Sequence, residues 1–153
     1  MYDLLLSGGT IITCNNSFDI IEDGIIGIKD NKISIIESKK ANINNLPESK
    51  EYMKLNNNEI IIPGLINAHC HAADSLFRGL VENLSLEDWL QEVWKAEKAI
   101  LNPETTLLGS YLGLAENLLA GVTTVVDMFW YPFETANASL DLGLRLCTGG
   151  IFI

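Results

Sequence analysis

From residue 65 onward the chain alternates apolar, β-branched runs with capped helical segments, and this alternation narrows the fold more than any other feature. The runs are "LINAH", "VTTVVDM" and "LRLCTGGIFI". Between the first two, Ser85 stands as an N-cap with Asp88 at N3, and Leu84 is placed to staple onto Trp89. The helix behind that cap carries Leu86, Trp89, Leu90, Val93, Trp94, Ile100 and Leu101 along one face. A second helix opens at Asn102-Pro103, a cap followed by proline at N1, and runs to Gly121, which suits a left-handed C-terminal cap. A third helix over residues 133–142 stops at Gly143. The order is strand-helix-strand-helix-strand, with continuous apolar strands of the kind a parallel sheet buries on both faces. The fold class is therefore α/β, and the helical tryptophans Trp89 and Trp94 read as core.

The first sixty residues read differently. "YDLLLSGGTIITC" gives two strands broken by Ser7-Gly8-Gly9, and "GIIGIKDNKISIIES" gives two more, broken by Asp30-Asn31, both tolerant of positive φ. Residues 39–58 are polar and asparagine-rich and read as a surface excursion. A strand then runs to Ile62, Pro63-Gly64 turns a corner, and a new strand covers residues 65–69. The corner divides the chain into a β-rich part, residues 1–62, and an α/β part, residues 63–153.

Composition excludes several classes of function. The formal net charge is -10, and the ten basic residues form no stripe, which argues against nucleic acid and against an anionic membrane surface. No apolar stretch approaches the roughly 18 residues of a membrane helix. The "MYDLLLSGG" start lacks the pattern of a signal peptide. Cys14, Cys70 and Cys147 are odd in number and well separated, so they read as free thiols of a reducing, cytoplasmic compartment.

Both histidines of the chain fall in His69-Cys70-His71, at the end of an apolar strand. Alternate side chains of a strand point the same way, so the two imidazoles share a face while Cys70, a small buried hydrophobe, takes the other. With backbones about 6–7 Å apart, two imidazoles can converge on one cation at about 2.0–2.1 Å. An isolated His-x-His also occurs as a surface pair or as hydrogen-bonded core histidines. The flanking strand, the Pro-Gly corner and the loop into a capped helix favour the metal-ligand reading. Glu97 is the second residue of interest. It sits on the apolar stripe with Val93, Ile100 and Leu101, where a carboxylate is costly unless paired or bound. It either reaches a surface edge or a lysine, or it contacts a ligand. Phe129, Trp130 and Tyr131 follow a strand end and are placed to line a pocket.

The stretch "IIIPGLINAHCHAADSLFRGLVENLSLEDWLQEVW" resembles the start of an amidohydrolase-superfamily enzyme. It is most similar to the branch holding methylthioadenosine/adenosylhomocysteine deaminases and triazine-type chlorohydrolases. That branch carries Pro-Gly-Leu-x-Asn-x-His-x-His, then Leu-x-Arg-Gly, then an acidic loop and a Trp-Leu helix. "LLAGVTTVVDMF" resembles its second barrel strand. The resemblance implies a small β-sandwich preceding a (β/α)8 TIM barrel, of which this chain would hold the first three strands. It further implies one divalent metal ion, zinc or else iron, held in part by His69 and His71. The implied reaction is hydrolytic deamination of an amino-substituted purine, pyrimidine or triazine ring, with Glu97 contacting the small-molecule substrate. Asn67 stands where hydantoinase-like relatives carry aspartate, which favours the mononuclear branch. Asp127 resembles a structural aspartate, and Arg78 a brace for the histidine loop. One departure stands out: where related nucleoside deaminases have Thr-Arg-Gly, with arginine on the substrate, this chain has Thr148-Gly149-Gly150.

The remaining ligands and proton shuttle of such enzymes lie on later strands: histidines on the fifth and sixth, an aspartate on the eighth, and a nearby glutamate. A TIM barrel typically needs about 250 residues, so the expectation is an N-terminal piece of a longer chain, inactive by itself, whose full-length parent can form a homo-oligomer. Two alternatives are a dinuclear cyclic amidase of the hydantoinase or dihydroorotase type and an inactive scaffold that keeps the fold.

Overall fold

The computed structural model of the chain describes residues 1–39 and 46–150. They fall into two compact units, Met1–Pro63 and Gly64–Ile153.

The first unit is built from two small sheets. β1 (Tyr2–Ser7) sits inside the first, flanked by β4 (Gly24–Lys29), antiparallel, and β6 (Ser49–Lys54), parallel, with β5 (Lys32–Ser38) outside β4. The second sheet has the order β3 (Ile20–Glu22), β2 (Thr10–Ile12), β7 (Ile60–Ile61). The expected turn at Gly8-Gly9 is present, with φ of 99° and 64°, and it delivers β2 into the other sheet instead of forming a hairpin. A side chain at Gly9 would place its Cβ 2.6 Å from the Glu59 carbonyl oxygen. The Asp30-Asn31 turn does close a two-residue hairpin, both residues at positive φ. Leu5, Ile11, Ile25 and Ile26 are the buried apolar residues of this unit.

Two expectations are corrected here. The polar excursion contains a strand, β6, whose side chains are almost all exposed. Its backbone pairs with the edge of β1, and strand formation there is decided by that available partner, which composition does not register. β3 carried no signal because it is only three residues long, wedged between positive-φ turns at Phe18 and Asp23. Residues 40–45 of the excursion lie outside the described residues.

The second unit is a parallel three-stranded sheet with β9 (Val122–Phe129) between β8 (Leu65–Cys70) and β10 (Arg145–Gly150). A 3-10 helix, Ala72–Phe77, follows β8. Then come α1 (Leu86–Ile100), α2 (Pro103–Leu119) and, after β9, α3 (Pro132–Leu142). The caps are those the sequence announces. Ser85 accepts from the Asp88 N–H, Asn102 and Thr105 form a reciprocal capping box with Pro103 behind it, and Gly143 ends α3 in the left-handed region. The core joins Leu114 of α2, Val125 of β9, Ala138 of α3, Ala72 and Leu144. Small residues on α2 let the 3-10 helix approach closely: a Cβ on Gly109 would lie 2.6 Å from the Ala73 carbonyl oxygen, and Ser75 Oγ donates to the Gly109 carbonyl at 2.7 Å.

The sheet is not covered on both faces, as its apolar strands had suggested. Along β9, Val125, Asp127 and Phe129 are buried, whereas Val126 and Met128 are exposed. Within this unit α2 and α3 meet at the Val125 face, and the alternate residues Val126 and Met128 stay exposed. The α1 stripe is corrected in the same way: Val93 and Glu97 are its buried residues, while Leu86, Trp94 and Ile100 are exposed. Among the described residues no helix is long and apolar enough to cross a membrane.

Candidate metal and ligand site

β8 ends at Cys70, and His71 caps the 3-10 helix at φ -125°, ψ 77°, so the pair straddles the strand end instead of lying within one regular strand. The rings nevertheless converge, with centroids 4.9 Å apart in an edge-to-face arrangement. Cys70 packs against the Leu114–Val125 core, opposite the imidazoles. Burial, reinforced by Asp127, pushes its thiol up to about 11, which disfavours the thiolate a metal would need.

Each imidazole is held by neighbouring groups. His71 Nδ1 lies 2.7 Å from the Met128 carbonyl oxygen. A carbonyl only accepts, so Nδ1 carries the proton and Nε2 keeps its lone pair for a cation. Phe129 packs against the same ring, centroids 5.8 Å apart. The Asn67 side-chain oxygen accepts the His69 backbone N–H at 3.2 Å, and its amide donates to Asn117 of α2 at 2.9 Å. Asp127, 1% exposed, accepts the Ala72 N–H at 2.7 Å and so fixes the backbone just after His71. Its second oxygen is buried without a hydrogen-bond partner among the described residues, and burial raises its pKa. Arg78 forms a bidentate pair with Glu116, tying the end of this loop to α2.

Beside His71 opens a cavity of about 460 Å³ between α1 and the end of β9. Trp89, Trp94, Phe129 and Trp130 supply its aromatic wall. The expectation that Trp89 and Trp94 are core residues is thereby corrected. Trp94 is 50% exposed, because no element of this unit packs over that side of α1. Tyr131 lines a smaller neighbouring cavity. Glu97, only 6% exposed, is neither at a surface edge nor paired with lysine; its Oε2 accepts the Trp130 Nε1 proton at 2.7 Å. Asp74 reaches the same point. Burial, then the adjacent Glu97 carboxylate, push it up to about 7, and one of its oxygens is buried without a hydrogen-bond partner among the described residues.

Sequence reasoning missed Asp74, the Trp130 bond to Glu97 and the Asn67–Asn117 brace. Only Asp74 left a signal, an acid in the otherwise small and apolar "AADSLF" segment. The other two join residues 33 and 50 positions apart. The donor set suits a cation such as zinc: two imidazoles, one with Nδ1 engaged by a carbonyl so that Nε2 is the nitrogen left for ligation. No group of three or more His, Cys, Asp or Glu placed to hold a metal occurs among the described residues.

The chain belongs to the amidohydrolase family, which it matches over residues 60–153. It is 32% identical over 155 residues to 5-methylthioadenosine/S-adenosylhomocysteine deaminase 1 of Syntrophus aciditrophicus (strain SB), covering 97% of this chain and 33% of that protein. It is 36% identical over 152 residues to the 5'-deoxyadenosine deaminase of Methanosarcina barkeri (strain Fusaro), covering 97% and 34%. Among solved structures, an adenosine deaminase from Xanthomonas campestris with bound zinc superposes at a TM-score of 0.83 and 25% identity, over 95% of this chain and 33% of that one. The chain thus spans about a third of the length of the relatives it matches.

Proposed function

We propose that this chain is part of a metal-dependent hydrolase that acts on carbon–nitrogen bonds other than peptide bonds, by hydrolytic deamination of an amino-substituted heteroaromatic ring. On this reading residues 1–62 belong to a small β-sandwich and residues 63–153 hold the first three strands of a (β/α)8 barrel, in a cytoplasmic enzyme. The superposition with the zinc-bound adenosine deaminase supports that assignment. The observation that carries it is the convergence of His69 and His71 beside an aromatic cavity with a buried acid.

His69 and His71 hold one divalent ion, zinc, with later strands supplying the other ligands. When bound, the ion makes water a competent nucleophile at neutral pH. In the balanced reaction water adds its oxygen to the ring carbon, the carbon–nitrogen bond breaks, and the amino group leaves as ammonia. The residues of this chain orient the substrate. Glu97, anchored by Trp130, presents a hydrogen-bond acceptor to a ring or side-arm donor, and the indole faces enclose an aromatic ring and exclude water. Asp74, protonated up to about pH 7, can hold a proton at the cavity edge.

The test is zinc content and ammonia release in the chain joined to its downstream coding sequence. His69→Ala and His71→Ala should each remove stoichiometric zinc and abolish ammonia release from aminated purines, pyrimidines and triazines. Full zinc occupancy in both variants would overturn the ligand assignment. A wild-type protein inert toward the whole panel would overturn the deaminase reading.

A further inference from the structure

Helix α2 is apolar on two opposite sides, and three of its sides are already occupied. Leu114 joins the core beneath it. Gly109 and Gly113 let the 3-10 helix approach at Ala73 and Ala72, and Arg78 pairs with Glu116 on that same flank. On the other flank Tyr111 donates to Asp141 of α3. The remaining side carries Leu108, Leu112, Ala115 and Leu119, and its leucines are 63%, 46% and 90% exposed. At about 100° per residue, this stripe points away from the buried Thr106, Ser110 and Gly113. Its spacing is four, three and four residues, the repeat of a helix–helix seam, and a helix apolar on both sides is one that packs on both sides.

On the barrel reading of this unit, further strands extend the sheet beyond β8 and β10, and their helices join the layer of α2 and α3 from the side. The stripe faces away from the sheet, with both flanks of α2 already filled, so such additions leave it uncovered. Phe133 and Leu140 of α3 are exposed too, but α3 has a neighbour on one flank only, and they form no part of this surface. The occupant that fits is a second copy of the chain. No ionisable side chain interrupts the stripe, and the flanking acids Glu116 and Asp141 are engaged by Arg78 and Tyr111. A chain of net charge -10 therefore meets itself here without apposing free carboxylates. The spacing also reads the same in both directions. A two-fold axis between Leu112 and Ala115 sets Leu108 against the partner's Leu119, a self-complementary contact. We propose that the outer face of α2 is a self-association surface, packed antiparallel against α2 of a second copy. The seam is about 25 Å long, at the small end of specific interfaces, so the dimer is a weak one that dissociates in the micromolar range. This rests on the barrel reading of the second unit.

The test is sedimentation equilibrium across the micromolar range on the chain joined to its downstream coding sequence. A monomer–dimer equilibrium is expected. Leu108→Glu and Leu119→Lys, both at exposed positions, should leave circular dichroism unchanged and each weaken the dimer about tenfold or more. Mixing the two variants should recover part of that loss, because the antiparallel register sets the introduced charges against each other. A monomer at every concentration, a dissociation constant that neither variant moves, or a mixture no tighter than its components would each overturn the proposal. Where one variant misfolds, the other decides. Zinc content and ammonia release are read on the same samples: an active enzyme that stays monomeric overturns this inference alone, and a dimer broken by these substitutions but inert toward the aminated rings overturns the deaminase reading alone.

Discussion

The bond between Trp130 and Glu97 should be worth enough to measure, because it satisfies an acid that α1 otherwise buries. Glu97 is 6% exposed and its Oε2 lies 2.7 Å from the indole nitrogen. A hydrogen bond to a charged group contributes about 1.5–3 kcal/mol net. Trp130→Phe deletes the donor while keeping an aromatic ring, and also loses part of the indole's packing. The two effects separate in a double-mutant cycle with Glu97→Met, which removes the acid and fills similar volume. The coupling energy, which cancels the packing loss, should fall at about 1.5–3 kcal/mol. With a urea m-value of about 1–3 kcal/mol/M, the coupling corresponds to a midpoint change of roughly 1 M. Unfolding is followed by far-UV circular dichroism, since the substitution alters fluorescence. A coupling below about 0.5 kcal/mol, the scatter of independent sites, would refute the claim that Trp130 is what makes burial of Glu97 tolerable.

Three further outcomes are expected. Leu114→Ala, fully buried at the centre of the second unit, should destabilise it by about 3–5 kcal/mol in the same urea titration. Asn67→Ala withdraws the acceptor of the His69 N–H and the link to Asn117, and should weaken zinc binding about 10–100-fold by competition with a chromophoric chelator, with the secondary structure unchanged. Asp74 is protonated to about pH 7 in the folded, metal-free chain but only to about 3.9 when unfolded. The folded state binds the extra proton between those values, so stability should be greatest near pH 4 and decline as pH rises toward 7. Asp127, raised in the same direction, adds to the slope, so Asp74→Asn should reduce the decline in urea midpoint without removing it.

Some of the site was legible in the residues alone because its signals are local. The Asn102-Pro103 cap, the Gly143 stop and the Asp30-Asn31 hairpin each depend on backbone preferences within a few residues. The convergence of His69 and His71 follows from their i, i+2 spacing at a strand end, and it survives although the strand stops between them. What the sequence could not decide is which face of an element finds a partner. The polar residues of β6 become a strand because β1 offers an unpaired edge. Trp94 lies on the apolar stripe of α1 yet stays half exposed, because within this unit α2 and α3 gather at the Val125 face of the sheet. Glu97 is read correctly as an unusual acid, but its partner is an indole on a different element, 33 residues away. Periodicity records which side chains share a face. Only the packed structure determines what lies opposite, because burial and hydrogen bonding between distant segments depend on where the chain returns.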